Sequence, residues 1–253
     1  MRMTSAKKLL VYVTLLCIAT SCGKSTTTPS TPTSGNLAGT VQLWDDKITS
    51  LADKSGVTVT VEDVPSFSTA TDASGKYSFN KLPYGIHDLR FTKTGYGTSK
   101  LLGISHAYHN SGSSTIVATK QLGQVSTTAI SSFVITANTF NGVAGMSYKV
   151  SVSPAPSSLN RGFFRYFLST SASVSNTDYT AYSPVKSILN NGAAGGLTLD
   201  DLVFLGFTSG QTVYIKMYGE SVQSNDYLYP NTGKTVFPNL NANASPVLSF
   251  MVP

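Results

Sequence analysis

Val57-Thr-Val-Thr-Val61 alternates apolar and polar side chains without a break. A period of two belongs to a strand with one buried face and one wet face. The same signature recurs at short intervals. Gly39 to Trp44 sets Val41 and Leu43 on one face against Thr40, Gln42 and Trp44 on the other. Lys76 to Phe79 pairs Tyr77 with Phe79, and Asp88 to Phe91 pairs Leu89 with Phe91. Ser114 to Leu122 supplies a closing strand. Asp72-Ala-Ser-Gly75 and Pro83-Tyr-Gly85 read as turns, with Gly75 free to take a positive φ. No long amphipathic helix is apparent. Ser, Thr, Val, Tyr and Gly dominate, a composition that disfavours helical bundles and favours sandwiches. Charged residues are only 12% of the 253, about half the usual share, which excludes a disordered polyelectrolyte.

The second half repeats the pattern with different residues. Candidate strands are Ser132–Ala137, Ser147–Ser153, Phe163–Ser169, Leu197–Leu202, Thr212–Glu220, Thr235–Phe237 and Val247–Val252. Gly, Asn, Pro and Ser separate them, and seven short strands fit a Greek-key sandwich. No internal repeat joins the halves. The sequence therefore predicts an all-β chain of two β-sandwich domains, residues 37–125 and 126–253.

The first 36 residues obey other rules. Arg2, Lys7 and Lys8 precede an apolar run, Leu9 to Ile18, of signal-peptide length and too short to span a bilayer comfortably. Ala19-Thr-Ser-Cys22 follows and resembles the lipobox of bacterial lipoproteins, with Ala19 where Leu is usual. The resemblance implies a signal peptide over 1–21 and a diacylglyceryl group on the Cys22 thiol. Both cysteines are then spent, Cys17 with the signal and Cys22 on lipid, so neither domain relies on a cystine. Residues 22–36, rich in Ser, Thr and Pro, read as an extended tether. Loss of Arg2, Lys7 and Lys8 leaves 15 basic against 12 acidic residues, a net charge of +3. No basic cluster remains, so nucleic acid is not an expected partner. Gly23-Lys24 after the cysteine carries neither the Asp of inner-membrane retention nor an acidic export tag. The expected address is the outer membrane, with the face open.

Within 37–125 an ordered string of motifs accumulates. Gly56-Val-Thr-Val59, Thr69 to Phe79, Leu82-Pro-Tyr-Gly85 through Leu89, and Lys93-Thr-Gly-Tyr96 resemble the carboxypeptidase regulatory-like family. The resemblance covers about 85 residues and implies a transthyretin-like sandwich of seven strands. His87 stands where that family usually has Tyr. It implies no peptidase: the family's enzymes need His-x-x-Glu, and none of His87, His106 or His109 is followed by Glu at that spacing. In the second half, Leu202 to Tyr214 resembles the corner before strand F of immunoglobulin and fibronectin III sandwiches. There a Tyr bonds back to the corner.

Catalytic signatures are missing: no GxGxxG, P-loop, HExxH, CxxC or GxSxG pattern occurs. Ser183-Pro-Val-Lys186 matches Ser-x-x-Lys only formally. His106-Ala-Tyr-His109 reads as a solvated loop, Asp45-Asp46 with Asp53 lacks the oxygens calcium needs, and Asp200-Asp201 reads as a strand end. No catalytic, cofactor-binding or metal-binding residue is expected. Aromatic side chains carry what functional signal there is. Trp44 sits on an outward face at a strand end, while Tyr227 and Tyr229 share a face beside Asn225 and Asp226. These three are the candidate ligand contacts. Two roles follow: a non-enzymatic accessory or interaction module with a protein partner, or a module for glycans and cell-wall polymers.

Overall fold

The computed structural model describes residues 32–109, 112–157, 160–189 and 192–253. The expected signal peptide, Cys22 and the tether up to residue 31 lie outside them. The described residues form eighteen strands and one short helix in order, and the fold is all-β, built of sandwiches, as expected.

The first lobe contains β1 (Ser34–Trp44), β2 (Thr58–Val61), β3 (Ser68–Ala70), β4 (Lys76–Pro83), β5 (Gly85–Thr92), β6 (Ser99–His106), β7 (Thr115–Ile116) and β8 (Lys120–Gly123). One sheet runs β4-β1-β7, with β8 beside β7's place on β1; the other runs β3-β2-β5-β6. Strand alternation aims Leu37, Val41, Leu43, Val57, Val59, Leu89 and Phe91 into one core. Each such side chain, buried to 1% exposure or less, contributes about 1.5–3 kcal/mol over its exposed state. The expected closing strand, 114–122, is divided into β7 and β8, both parallel to β1. β1 starts at Ser34, paired with Pro83, so the last three residues of the expected tether are strand. β6 was not foreseen. Two of its residues oppose one on β5 between the His87–Ile104 and Leu89–Leu101 pairs, and Gly103, at φ +67°, takes the bulge. That bulge breaks the alternation by which a strand is read.

The second lobe contains β9 (Ala129–Phe140), β10 (Val143–Ser153), β11 (Gly162–Ser169), β12 (Ala181–Tyr182), β13 (Lys186–Ile188), β14 (Ala193–Thr198), α1 (Leu199–Phe204), β15 (Thr212–Gly219), β16 (Tyr227–Tyr229), β17 (Lys234–Val236) and β18 (Leu248–Met251). Sheet β14-β10-β9 faces sheet β12-β11-β15-β18 across a core holding Met146, Val150, Phe164, Leu168, Ile215 and Met217. Leu197–Leu202, expected as one strand, instead ends β14 and begins α1. Thr198 caps the helix: its hydroxyl accepts from Asp201 N, and the Asp201 carboxylate accepts from Thr198 N. Asp200-Asp201 thus opens a helix rather than ending a strand. Tyr214 makes no bond back to a corner; it packs, partly buried, against the cluster of Phe167, Val174, Tyr218 and Phe237. Among the described residues no helix is long and apolar enough to cross a membrane.

Residues 32–253 form one compact unit, and a buried polar seam joins its two lobes. Asn225 Nδ2 donates to Gly97 O at 2.9 Å and Gly123 O at 3.0 Å, and its Oδ1 accepts from Gly123 N at 2.8 Å. Asn239 Oδ1 accepts from Gly97 N at 2.9 Å. The Ser99 hydroxyl donates to Asn225 O, and Ser126 donates to Glu220 O. Asp46 Oδ2 accepts from the Thr127 amide and hydroxyl at 2.8 and 2.7 Å. Gly97, Ser99, Gly123, Ser126, Asn225 and Asn239 are buried, so without these bonds their polar groups would be left unsatisfied, the costly condition.

Candidate functional site

β11 is buried at all eight positions, although only one of its faces meets the sandwich core. Phe164, Tyr166 and Leu168 point into that core, while Phe167 lies in a second aromatic cluster with Tyr218 and Phe237. The covering layer comes from the loop before β12, the β16–β17 hairpin and the chain after it. Phe167 meets Phe237 edge to face at 4.9 Å between centroids, and Tyr179 meets Phe237 at 5.7 Å. Offset and edge contacts of this kind add about 0.5–1.5 kcal/mol beyond area burial.

Arg165 ties this layer to the seam. Its Nε donates to Glu220 Oε2 at 3.3 Å, Nη1 to Ser183 O at 3.0 Å and Nη2 to Asp226 Oδ2 at 2.7 Å. Its guanidinium carbon lies 4.6 Å from the Phe237 ring centre and 5.5 Å from that of Tyr182. Glu220 is fully buried, and burial pushes its carboxyl up to about 8 against the pull of Ser221 N–H and Arg165. Burial also raises Asp226, with Arg165 opposing, and lowers Lys120. Asp226 immediately precedes β16, so the ion pair fixes where the hairpin leaves the seam.

The hairpin carries Tyr227 and Tyr229 on one face, as expected from their spacing. Both rings are half-buried, and Lys100 Nζ of the first lobe lies 5.8 Å and 5.5 Å from their centroids. That ammonium is held by Glu62 Oε2 at 2.7 Å. Tyr229 also borders a surface concavity of about 240 Å³ with Tyr179, Val236, Phe237, Lys234 and Asn176. The Tyr179 hydroxyl donates to Thr235 O and accepts from Thr235 N, which fixes that ring as a wall. Lys234 Nζ sits 5.4 Å from the Tyr179 ring centre. No carboxylate lines the concavity. Trp44 lies elsewhere: half-buried, with its indole N–H donating to Gln121 Oε1 at 2.5 Å.

Tyr179 and Phe237 were not singled out from the sequence. One signal was present: Phe163 to Leu168 has aromatic residues at both parities, which calls for cover on both faces. The minor motifs resolve into structural roles. His106 is buried, not solvated; its Nδ1 meets Thr115 Oγ1 at 2.7 Å, its Nε2 lies 3.2 Å from Leu82 O, and Tyr84 packs on its ring. Asp46 belongs to the seam. Ser183 Oγ accepts from Tyr166 N. Among the described residues no group of three His, Cys, Asp or Glu side chains could hold a metal ion.

No protein-family model matches the chain, and no curated protein matches it. Solved structures similar to it include all-β proteins of the Bacteroides group. A candidate carbohydrate-binding protein from Bacteroides uniformis shares 12% identity over 86% of this chain and 99% of that one, with a TM-score of 0.31. A DUF3823 family protein from Bacteroides ovatus shares 10% identity over 87% and 99%, with a TM-score of 0.31. One from Parabacteroides merdae shares 8% over 86% and 99%, with a TM-score of 0.30. At such TM-scores the likeness carries no argument about what this chain binds.

Proposed function

We propose that this chain is a lipid-anchored, non-catalytic module of the outer membrane that captures a protein partner in the Tyr179–Tyr229–Phe237 concavity. Cys22 carries the lipid, and residues 22–33 form the tether. The first lobe is read as a carboxypeptidase regulatory-like sandwich and the second as an immunoglobulin or fibronectin III-like one, with their boundary near residue 125. The observation that supports a protein partner is the lining of the concavity. Three aromatic rings and Val236 form its walls, one ammonium stands at its rim, and no carboxylate is present. A site for a polysaccharide is expected to flank its rings with Asp, Asn, Gln or Arg groups that fix the hydroxyls; here Asn176 alone is of that kind. A concavity of 240 Å³ suits a single apolar or aromatic anchor side chain from a partner, the usual centre of an interface hot spot.

Two measurements test this reading. Cys22→Ser should release the protein from membranes to the soluble fraction, and unchanged membrane association would remove the lipid anchor. A polysaccharide array probed with residues 32–253 should be blank. A hit abolished by Tyr229→Ala would reassign the concavity to a glycan.

A further inference from the structure

One long edge strand of the second lobe lacks the protection that the other long edge strands carry. Three strands of eight residues or more lie at sheet edges: β4, β6 and β9. β4 carries Lys76, Lys81 and Pro83, and β6 carries Lys100. Charges and proline are the devices by which edge strands avoid pairing with another chain. β9 is the longest of the three, Ala129-Ile-Ser-Ser-Phe-Val-Ile-Thr-Ala-Asn-Thr-Phe140, and holds no charge and no proline. β10 pairs along one side of it; among the described residues no strand pairs along the other. Val134 is 55% exposed on its outer face.

The flank beside this edge is also unfinished. Phe133 and Ile135 of β9 and Leu248 and Phe250 of β18 pack only partly against the core. A groove of about 300 Å³ opens there, lined by Ile135, Ala137, Met146, Phe250 and Met251, with no ionisable side chain. β18 borders it with a second open edge. Val252 turns both its N–H and its C=O to the β15 side, bonding Gln211 O and Gly210 N at 2.9 Å. Strand alternation then turns the N–H and C=O of Ser249 and Met251 away from β15. A row of backbone donors and acceptors without charged side chains is open to pairing with an uncharged extended strand.

The chain itself presents such a strand. We propose that β9 pairs antiparallel with β9 of a second copy, forming a two-fold symmetric dimer. In an isologous contact each residue meets its own image or a near neighbour of it. Any charge in the middle of β9 would there face a like charge, and β9 has none. An axis at the centre of the strand sets Val134 and Thr136 of one copy against the same pair in the other. This surface is separate from the aromatic concavity, and its test does not depend on what that concavity binds.

The test is the mass of the full-length protein in detergent by sedimentation velocity. The wild type should be a dimer. Val134→Lys with Thr136→Lys should give monomers, with the unfolding temperature little changed because both side chains are exposed and only the exposed Thr136–Ser147 hydroxyl contact is lost. Val134→Glu with Thr136→Glu should do the same, and an equimolar mixture of the Lys and Glu proteins should restore the dimer. A wild-type monomer overturns the proposal. So does a dimer that survives the Lys pair, or a pair of monomers that fails to recombine.

Discussion

Asn225 shows how one side chain can hold two lobes. Its φ is +58°, a left-handed conformation that Asn tolerates better than most residues. From there its amide meets Gly97 O, Gly123 O and Asn239 Oδ1 while accepting from Gly123 N. Asn225→Ala leaves Gly97 O and Gly123 N unpaired at about 1–3 kcal/mol each, while Gly123 O keeps Asn239 Nδ2 and Asn239 Oδ1 keeps Gly97 N. Urea unfolding should show a drop of roughly 3 kcal/mol or more; a change below about 1 kcal/mol would mean water replaces the amide freely. Glu220 makes the seam pH-dependent. Its carboxyl lies near 8 in the fold and at 4.5 unperturbed. The folded state therefore holds a proton that the unfolded state has released. Stability from this group is full below about 4.5 and falls as pH rises through about 8. Glu220→Gln should be less sensitive than the wild type to a change from pH 5 to pH 8.5, measured as urea midpoints. An identical pH dependence in both proteins would place the proton elsewhere. His106 acts at the other end. Burial lowers it below 6.5, so its contribution is present above that pH and is lost on acidification.

The elements were legible where one face is wet and one is buried. β4 and β5 follow the period of two, and Ile215 and Met217 face the core while Tyr214 and Tyr218 face the outer cluster. Legibility failed where another constraint outranked alternation. The bulge at Gly103 hid β6, and Thr198-x-x-Asp201, a capping-box spacing, hid α1 inside an apparently alternating run. Gly219 marks the tightest approach between elements: a Cβ there would sit 1.6 Å from Thr128 O at the start of the strand crossing β15. Backbone, not a pliable side chain, blocks it, so Gly219→Ala must separate β15 from the chain entering β9. A fall in unfolding temperature of several degrees is expected, whereas an unchanged value would show that the two segments slide apart without cost. The candidate site was half legible for a related reason. Tyr227 and Tyr229 share a face by spacing alone, but Tyr179 and Phe237 reach them only through the second layer over β11.

At the scale of the molecule the seam is what the sequence concealed. Asp46, Glu220, Asn225 and Asn239 are residue types that read as solvated, and their partners lie about 80 to 140 positions away. Nothing local announces such pairs. Their consequence is mechanical: the hairpin bearing Tyr229 is fixed through Asp226 and Arg165 to the same seam that fixes the first lobe. The aromatic concavity is thus presented on a rigid body rather than on a loose loop, which lowers the ordering cost of binding. The direct measurement is co-purification of the full-length protein from detergent-solubilised envelope, beside the Tyr179→Ala/Tyr229→Ala variant. The account predicts a stoichiometric protein partner with the wild type and its loss with the variant. Recovery of the same partner with both proteins would contradict it.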